Sequence, residues 1–478
     1  MRLKLTLSIT LLALLLANGA PATRAQSGSI YLPLVLRNFN PTAGLRTVNA
    51  PPTTDWKQMA IFWLGRVTAS ENYTDVRVGY DAANLVLHIT NFDRLLWCDT
   101  TPTAGDLTNW DSVSVYLNLS GNSGAAPSTS SYRIEVQLSG FPCDSGSYQA
   151  AYRGNGSGWA AFGGAFSAAT SYRYEDGNTG GTNNGENNRG WLAVVTIPFS
   201  SLGLGGAPAA GTVWGLAVAN HDRESAGGPP MADKLWPETA DGNAPSSWGR
   251  LRFGLPGWTP PSVNNPQTIT VRHGLNGAVV PDANIGGHIN ALCIGDPNYV
   301  WNAWGNANNY TETGANVQNQ GDLADWPCFA KYYVTFPLTQ LPAGRIIRSA
   351  TLKLHHTQNT GSLTDARPSY IHILRVNENW TDSTITWNNA PLALENVAVA
   401  TVPVLPGCDY GNPQPCQWRT WDVSRAVAEA YAGGATALRL AVYSSDTDYH
   451  SGKIFGTSEQ NDYYAVSRPT LEVQLGTP

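Results

Sequence analysis

The chain predicts an all-β protein, built as two tandem antiparallel β-sandwiches of jelly-roll or immunoglobulin-like form behind a signal peptide. Short runs of alternating apolar and polar residues recur with turn residues between them, and long helical periods are missing. A Pro-rich stretch, Leu255-Pro256-Gly257-Trp258-Thr259-Pro260-Pro261-Ser262-Val263-Asn264-Asn265-Pro266, divides the 478 residues into halves of ordinary domain size. The divisions expected are a leader at 1–25, a low-structure segment at 26–45, a first sandwich at 46–255, a linker at 256–266 and a second sandwich at 267–476.

The elements follow from the pattern. Residues 85–90, 112–117, 132–137, 192–197 and 214–219 alternate as strands of the first sandwich, and 350–355, 370–376, 437–443 and 470–475 as strands of the second. One helix is expected at 423–431, begun by Trp421-Asp422 and stopped by Gly433-Gly434. A further strand is expected at 384–387, where Thr, Ile, Thr and Trp favour a pleated surface before the turn Asn388-Asn389-Ala390-Pro391.

The start of the chain combines Arg2 and Lys4 with an apolar run over 5–16 and a small-residue zone, which reads as a secretory leader cut after Ala22 or Ala25. The run is shorter than a membrane span, and no later stretch reaches that length. The expected location is extracellular. Loss of the leader removes Arg2, Lys4 and Arg24 and no acid, which takes the net charge from −6 to about −9 and argues against nucleic acid as partner. With only 13% charged residues, the surface is mostly neutral and polar, which suits a polysaccharide. Six cysteines fit an oxidising compartment. Of the 15 pairings open to them, the domain split and loop closure favour Cys98 with Cys143, Cys293 with Cys328, and Cys408 with Cys416.

Within 46–255, Asn91-Phe92-Asp93-Arg94-Leu95-Leu96-Trp97, Trp110-Asp111-Ser112-Val113, Ile197-Pro198-Phe199 and Trp248-Gly249-Arg250-Leu251-Arg252-Phe253-Gly254 stand in an order that resembles the family 9 carbohydrate-binding modules and their DOMON-like relatives. Relatives often carry Glu shortly before the Ile-Pro pair, where this chain has Ala193-Val194-Val195. In the second half, the Trp380 to Pro391 segment joins Arg348-Ser349-Ala350-Thr351-Leu352-Lys353-Leu354, Trp421-Asp422-Val423-Ser424-Arg425-Ala426-Val427, Ile454-Phe455-Gly456-Thr457-Ser458-Glu459 and Ser467-Arg468-Pro469-Thr470-Leu471-Glu472-Val473. This set is similar to the DNRLRE domains, the disaggregatase-related group akin to carbohydrate-binding module family 96. The resemblance implies a β-sandwich that in some members binds polysaccharide.

Sugar binding needs aromatic faces for the C–H side of a pyranose and polar groups for its hydroxyls. The candidates in the first half are Trp97, Trp110, Trp236, Asn220, Asp222 and Arg223. In the second half they are Tyr299, Trp301, Trp304 and Tyr310, set among asparagines in an insertion at 284–327 that reads as a surface loop stapled by Cys293 and Cys328. Asp81, Asp93 and Asp222 offer loop oxygens to a structural Ca²⁺; no other cofactor is expected. Trp380, Trp387 and Trp421 read as core.

The functional expectation is a secreted, monomeric, non-catalytic polysaccharide-binding protein. The alternatives are an extracellular polysaccharide hydrolase or lyase, and a structural or adhesive surface protein. For hydrolysis the acids Asp222, Glu224, Asp446 and Asp448 are candidates, and for a lyase Tyr370, His372 and Arg375, although alternation places Arg375 on the opposite strand face from the other two. No nucleophile elbow, His-Glu-x-x-His helix or phosphate loop occurs.

Overall fold

Alternation of apolar and polar residues produces strands throughout the part of the chain that the computed structural model describes, residues 44–478 apart from 145, 147, 176–179, 288–300, 302, 325 and 407–416. The expected leader and nearly all of segment 26–45 lie outside the described residues. The first half contributes β1 (Thr47–Ala50), β2 (Ala60–Thr68), β3 (Glu71–Tyr80), β4 (Asn84–Phe92), β5 (Ser112–Asn118), β6 (Ser131–Gln137), β7 (Gln149–Gly154), β8 (Trp159–Ala161), β9 (Ser167–Tyr174), β10 (Asn188–Pro198), β11 (Val213–His221), β12 (Lys234–Trp236) and β13 (Gly249–Phe253). The second contributes β14 (Asn264–Arg272), β15 (Asp282–Gly286), β16 (Asn308–Asn309), β17 (Gly314–Val317), β18 (Ala330–Pro337), β19 (Ile346–Asn359), β20 (Ser369–Val376), β21 (Glu395–Val402), β22 (Gln417–Asp422), β23 (Ala437–Ser444), β24 (Lys453–Gly456) and β25 (Thr470–Thr477). Helix α1 spans Ser424–Ala432. Asp422 accepts the Ser424 N–H at its start, and Gly434 follows its end with φ 74°.

These strands form three sheets. A long 14-stranded sheet runs β16-β15-β18-β23-β20-β21-β1-β13-β11-β5-β6-β7-β8, with β12 on β11. A middle sheet runs β2-β3-β4-β10-β9, and an outer sheet runs β14-β25-β19-β24-β17 with β22 on β19. Strand β1 joins the halves because it pairs in parallel with β13 on one side and meets β21 at Thr47 and Glu395 on the other.

Each half has its own apolar core. In the first, Phe62, Val76, Leu87 and Val195 of the middle sheet meet Val113, Ile134, Leu216 and Phe253 of the long sheet. In the second, Leu352, Phe455 and Val473 of the outer sheet meet Tyr332, Ile371 and Leu440 of the long sheet. A third core joins them. Ile61, Trp63, Tyr73 and Phe92, on the other face of the middle sheet, pack on Ile285, Tyr333, Leu374 and Tyr443 of the second half. The middle sheet is therefore covered on both faces, and residues 44–478 form one compact unit.

Polar side chains on that second face are matched across the junction. Arg77 is fully buried and donates to the carbonyl of Ser445 at 3.0 Å, while Asp75 accepts from Tyr73, Tyr443 and Asn319. Lys331 Nζ stands 3.8 Å from the ring centroids of both Trp63 and Trp387, with Tyr73 at 4.5 Å and Tyr443 at 4.7 Å. A desolvated cation over an aromatic face is worth up to about 2 kcal/mol. Burial pushes the Lys331 ammonium well below its usual value and Asp75 draws it back up.

Two sequence expectations are corrected here. Residues 384–387 are turn and irregular chain, because Thr384 and Ile385 donate their N–H groups back to the Thr381 carbonyl. The turn drives Ile385 and Trp387 into the third core. The insertion at 284–327 does not present its tryptophans to solvent. Trp301 and Trp304 are buried with Trp326 and Trp387, since together they cover the second face of the middle sheet.

Cys98 and Cys143 are disulfide-bonded. Cys328 is also disulfide-bonded, and its expected partner Cys293, like Cys408 and Cys416, lies outside the described residues. Among the described residues no helix is long and apolar enough to cross a membrane.

Candidate functional site

Alternation on β5, β6, β7 and β11 sends Val113, Ile134, Ala151 and Leu216 to the first core and leaves Tyr116, Arg133, Glu135, Tyr152, Ala217 and Ala219 on the opposite face. The small alanines form a floor on which the aromatic rings of Tyr116 and Trp248 lie. Trp159, on the edge strand β8, continues this row. Its ring is parallel to Trp248 at a centroid distance of 6.5 Å, with 6.1 Å to Tyr116. The Arg133 guanidinium lies 4.1 Å from the Tyr152 ring centroid and 5.4 Å from that of Trp159, and its Nε is 3.1 Å from Glu135.

Trp159 and Tyr152 are half-buried, so their rings are held yet remain reachable. Trp159 Nε1 donates to Asn243 at 3.0 Å, which fixes the indole orientation. Glu135 is nearly buried, and burial raises its carboxyl while Arg133 lowers it. Alongside, the His221 ring bridges Ser114 and Asp233, each at 2.8 Å. Aromatic faces beside a fixed guanidinium and a carboxylate offer apolar and hydrogen-bonding contacts at once, the combination a sugar ring needs.

At the end of the same sandwich, loops after β4 and β11 meet the start of β5. Asp111 accepts the N–H groups of Trp97 at 2.5 Å and Arg223 at 3.0 Å, and Arg223 lies 4.3 Å over the ring of Trp110. Asp93, Asp222 and Glu224 gather there, each with a carboxylate oxygen within 4.8 Å of the others. Burial, and then the charges of its neighbours, raises Asp93 and Asp111 well above the ordinary carboxylate range. Burial also pushes Asp222 up to about 6 and, with the Asp222 charge, Glu224 up to about 7.

The residues expected from sequence thus divide. Trp97, Trp110, Asp222 and Arg223 come together, with Trp97 and Trp110 half-buried, but Asp222 is buried and Arg223 is occupied by Trp110 and by the carbonyls of Asn109 and Gly228. Asn220 is buried at the end of β11. Trp236 is buried in the first core against Phe62, so it offers no face to a ligand. Trp301 and Trp304 are core, as described above. Tyr310 is exposed, and Tyr299 lies outside the described residues. Asp81 is exposed, caps the turn at Ala83 and Asn84, and stands apart from the Asp93 cluster.

The sequence reading missed Trp159, Tyr152 and Arg133. Alternation along β6 and β7 was the available signal, since it places Arg133, Glu135 and Tyr152 opposite the apolar residues. It also missed Trp418, which is 37% exposed on the outer sheet, 5.0 Å from His355 and 5.1 Å from the Lys353 ammonium. Of the acids and bases weighed for catalysis, Asp222, Asp446 and His372 are buried, whereas Glu224, Asp448, Tyr370 and Arg375 are half-buried. Asp446 is buried and accepts from Ser369 and Tyr370, and His372 is buried against Ser445.

Reachable aromatic rings thus stand on two sheets of this β-rich scaffold, Trp159 and Tyr152 on the long sheet and Trp418 on the outer one. Residues 295–473 match the family model for carbohydrate-binding module family 96, so the second half is similar to that family, as its motifs indicate. Similar solved structures include a family 9 carbohydrate-binding module from Caldicellulosiruptor kristjanssonii in complex with cellotriose, at 13% identity, 45% of this chain, 100% of that chain and TM-score 0.29. The same module in complex with glucose aligns at 15% identity, 45% of this chain, 98% of that chain and TM-score 0.28. No curated protein matches the chain.

Proposed function

We propose that this protein is a secreted, non-catalytic polysaccharide-binding protein acting through two linked surfaces. The observation that carries the reading is the Arg133, Tyr152 and Trp159 platform, where two reachable rings flank a guanidinium fixed by Glu135. The family 96 match over 295–473 supports it, and Trp418 supplies an exposed ring within that segment. The enclosure of Asp446 and His372 supports binding without cleavage. Two weak surfaces on one body gain avidity toward a repeating polymer without either being tight.

The test is affinity electrophoresis of the mature protein in gels containing neutral or acidic glycans, followed by product analysis. Retardation without released product is the expected result. Trp159→Ala and Trp418→Ala then assign retardation to one surface or both. Absence of retardation on every glycan overturns the reading and favours a structural or adhesive role. Release of reducing ends or unsaturated products favours an enzyme.

A further inference from the structure

Strand β22 sends its side chains alternately into the core of the second half and out to solvent, and the outward row leads from Trp418 toward the junction of the halves. Trp421, opposite Leu352 of β19, enters the core. Trp418, Thr420 and Asp422 stand on the other face and are exposed, with His355, Lys353 and Thr351 of β19 directly across the ladder. Because β19 pairs with β22, β24 and β25, this row is built on a well-anchored part of the sheet.

At Asp422 the row reaches a cleft of about 270 Å³. The chain leaving β13 supplies Leu255 and Trp258 to it, β21 supplies Val397 and Val399, and the passage from β22 into α1 supplies Asp422 and Arg425. Trp258 is half-buried, and its Nε1 donates to the Arg348 carbonyl at 2.8 Å, which fixes the indole beside the start of β19. From Arg348 to His355, the cross-strand neighbour of Trp418, β19 advances about 23 Å. One tryptophan therefore stands toward each end of this path.

The charges along the path are matched within the protein. Lys353 pairs with Glu472 at 2.9 Å, and Arg425 pairs with Glu395 at 2.8 Å and with Glu429 at 2.9 Å. Asp422 engages the N–H and hydroxyl of Ser424 through Oδ1, which leaves Oδ2 to accept from a ligand. Such a surface suits a neutral chain, which needs rings for its C–H faces and neutral or acceptor groups for its hydroxyls.

We propose that Trp418, Thr420, Asp422 and Trp258 line one extended groove for a neutral glycan chain, with one end of the bound segment seated in the cleft. The inference rests on the polysaccharide reading and deepens it, because the second surface then engages several consecutive sugar units instead of a single ring at Trp418. The cleft lies just under the range of about 300–1,000 Å³ usual for small-molecule pockets, which fits about one or two of those units.

The experiment uses the full mature chain carrying Trp159→Ala, which silences the platform on the long sheet. Calorimetry with cellohexaose, xylohexaose and mannohexaose, and with the matching disaccharides, compares long and short neutral chains. At least one hexasaccharide is expected to bind about tenfold or more tightly than its disaccharide, and Trp258→Ala to remove most of that advantage. Val399→Arg obstructs the cleft from a position that is 41% exposed, so it should weaken hexasaccharide binding in the same way and carries the test if Trp258→Ala fails to fold. Unchanged hexasaccharide affinity in these variants overturns the groove, as does equal affinity for long and short chains or binding confined to acidic glycans. In each of those cases gel retardation of the wild type leaves the polysaccharide reading standing, whereas no retardation on any glycan removes both.

Discussion

Asn49 and Asn396 each donate a side-chain N–H to the other's backbone carbonyl, at 2.8 and 3.0 Å. Asn396 Oδ1 also accepts the Asn49 backbone N–H at 2.7 Å, and Asn49 Nδ2 is 3.0 Å from Glu395. Regular ladder pairing between β1 and β21 is confined to Thr47 and Glu395, so these amides extend the seam beyond it. Asn49→Ala leaves a buried Asn396 amide unmatched and is expected to lower the unfolding free energy by about 2 kcal/mol. Urea denaturation followed by tryptophan fluorescence checks this, and the wild type should unfold in one transition because the seam and the third core couple the halves.

Lys331→Met tests the aromatic cage. The substitution keeps most of the side-chain volume but removes the ammonium from Trp63, Trp387, Tyr73 and Tyr443, and it leaves Asp75 buried without the neighbouring cation. Removing one partner of a buried charged network costs about 3 kcal/mol. Asp75 retains three donors, so the loss should fall in a Lys331→Met, Asp75→Asn double variant. Equal stability of Lys331→Met and wild type in equilibrium denaturation contradicts this account.

Glu459 gives the pH dependence a definite sign. Burial, followed by the charge of Asp282, pushes its carboxyl up to about 9 from an ordinary 4.5. Asp282 is itself held by Tyr332 at 2.6 Å and by the Ser458 N–H at 2.8 Å. Between those two pH values the folded protein keeps a proton that the unfolded chain releases. The contribution of this group to stability is therefore full below about pH 4.5 and is lost as pH rises toward 9. Glu459→Gln should flatten that decline, measured as the melting temperature across the same interval, and a slope unchanged by the substitution rules the assignment out.

The Cys98 to Cys143 bond closes a loop with a sequence separation of 45. Chain-entropy reasoning assigns such a loop about 4 kcal/mol. Replacing both residues with serine should lower stability by up to that amount. The platform should be disturbed less than the neighbouring loop, because Asn183 bonds the backbone of Cys98 at 2.8 Å while Trp159 and Tyr152 are held on separate strands. Comparing glycan retardation with the denaturation midpoint separates the two effects.

Strands whose one face is apolar were readable from the chain, and β4, β5, β6, β10, β11, β19, β20, β23 and β25 all enclose the runs picked out by alternation. Helix α1 was readable for the same reason, with Asp422 and Gly433-Gly434 as punctuation. Strand β3 of the middle sheet was harder. In β3, Val76 and Val78 point to the first core while Asp75 and Arg77 alternate with them, which reads as an ordinary half-solvated strand. Only the arrival of Ser445, Asp446, Asn319 and Lys331 from the other half shows that these polar groups are enclosed. The same limitation hid the fate of Trp301 and Trp304, since an asparagine-rich context gave no hint of the aromatic wall they complete. At the candidate sites, the sequence offered Trp97, Trp110, Trp236, Asn220, Asp222 and Arg223 as one set of candidates, but could not tell an arginine engaged by an indole from one free to meet a ligand.

The double covering of the middle sheet also sets an order of events during synthesis. Tyr73 precedes its partner Lys331 by 258 residues. The nascent first half thus leaves the ribosome with Trp63, Asp75 and Arg77 facing water and no companion yet made. Half-built, the molecule is a sticky sheet, and its vulnerability to aggregation lasts until the strands carrying Lys331 and Tyr443 have been translated and have docked.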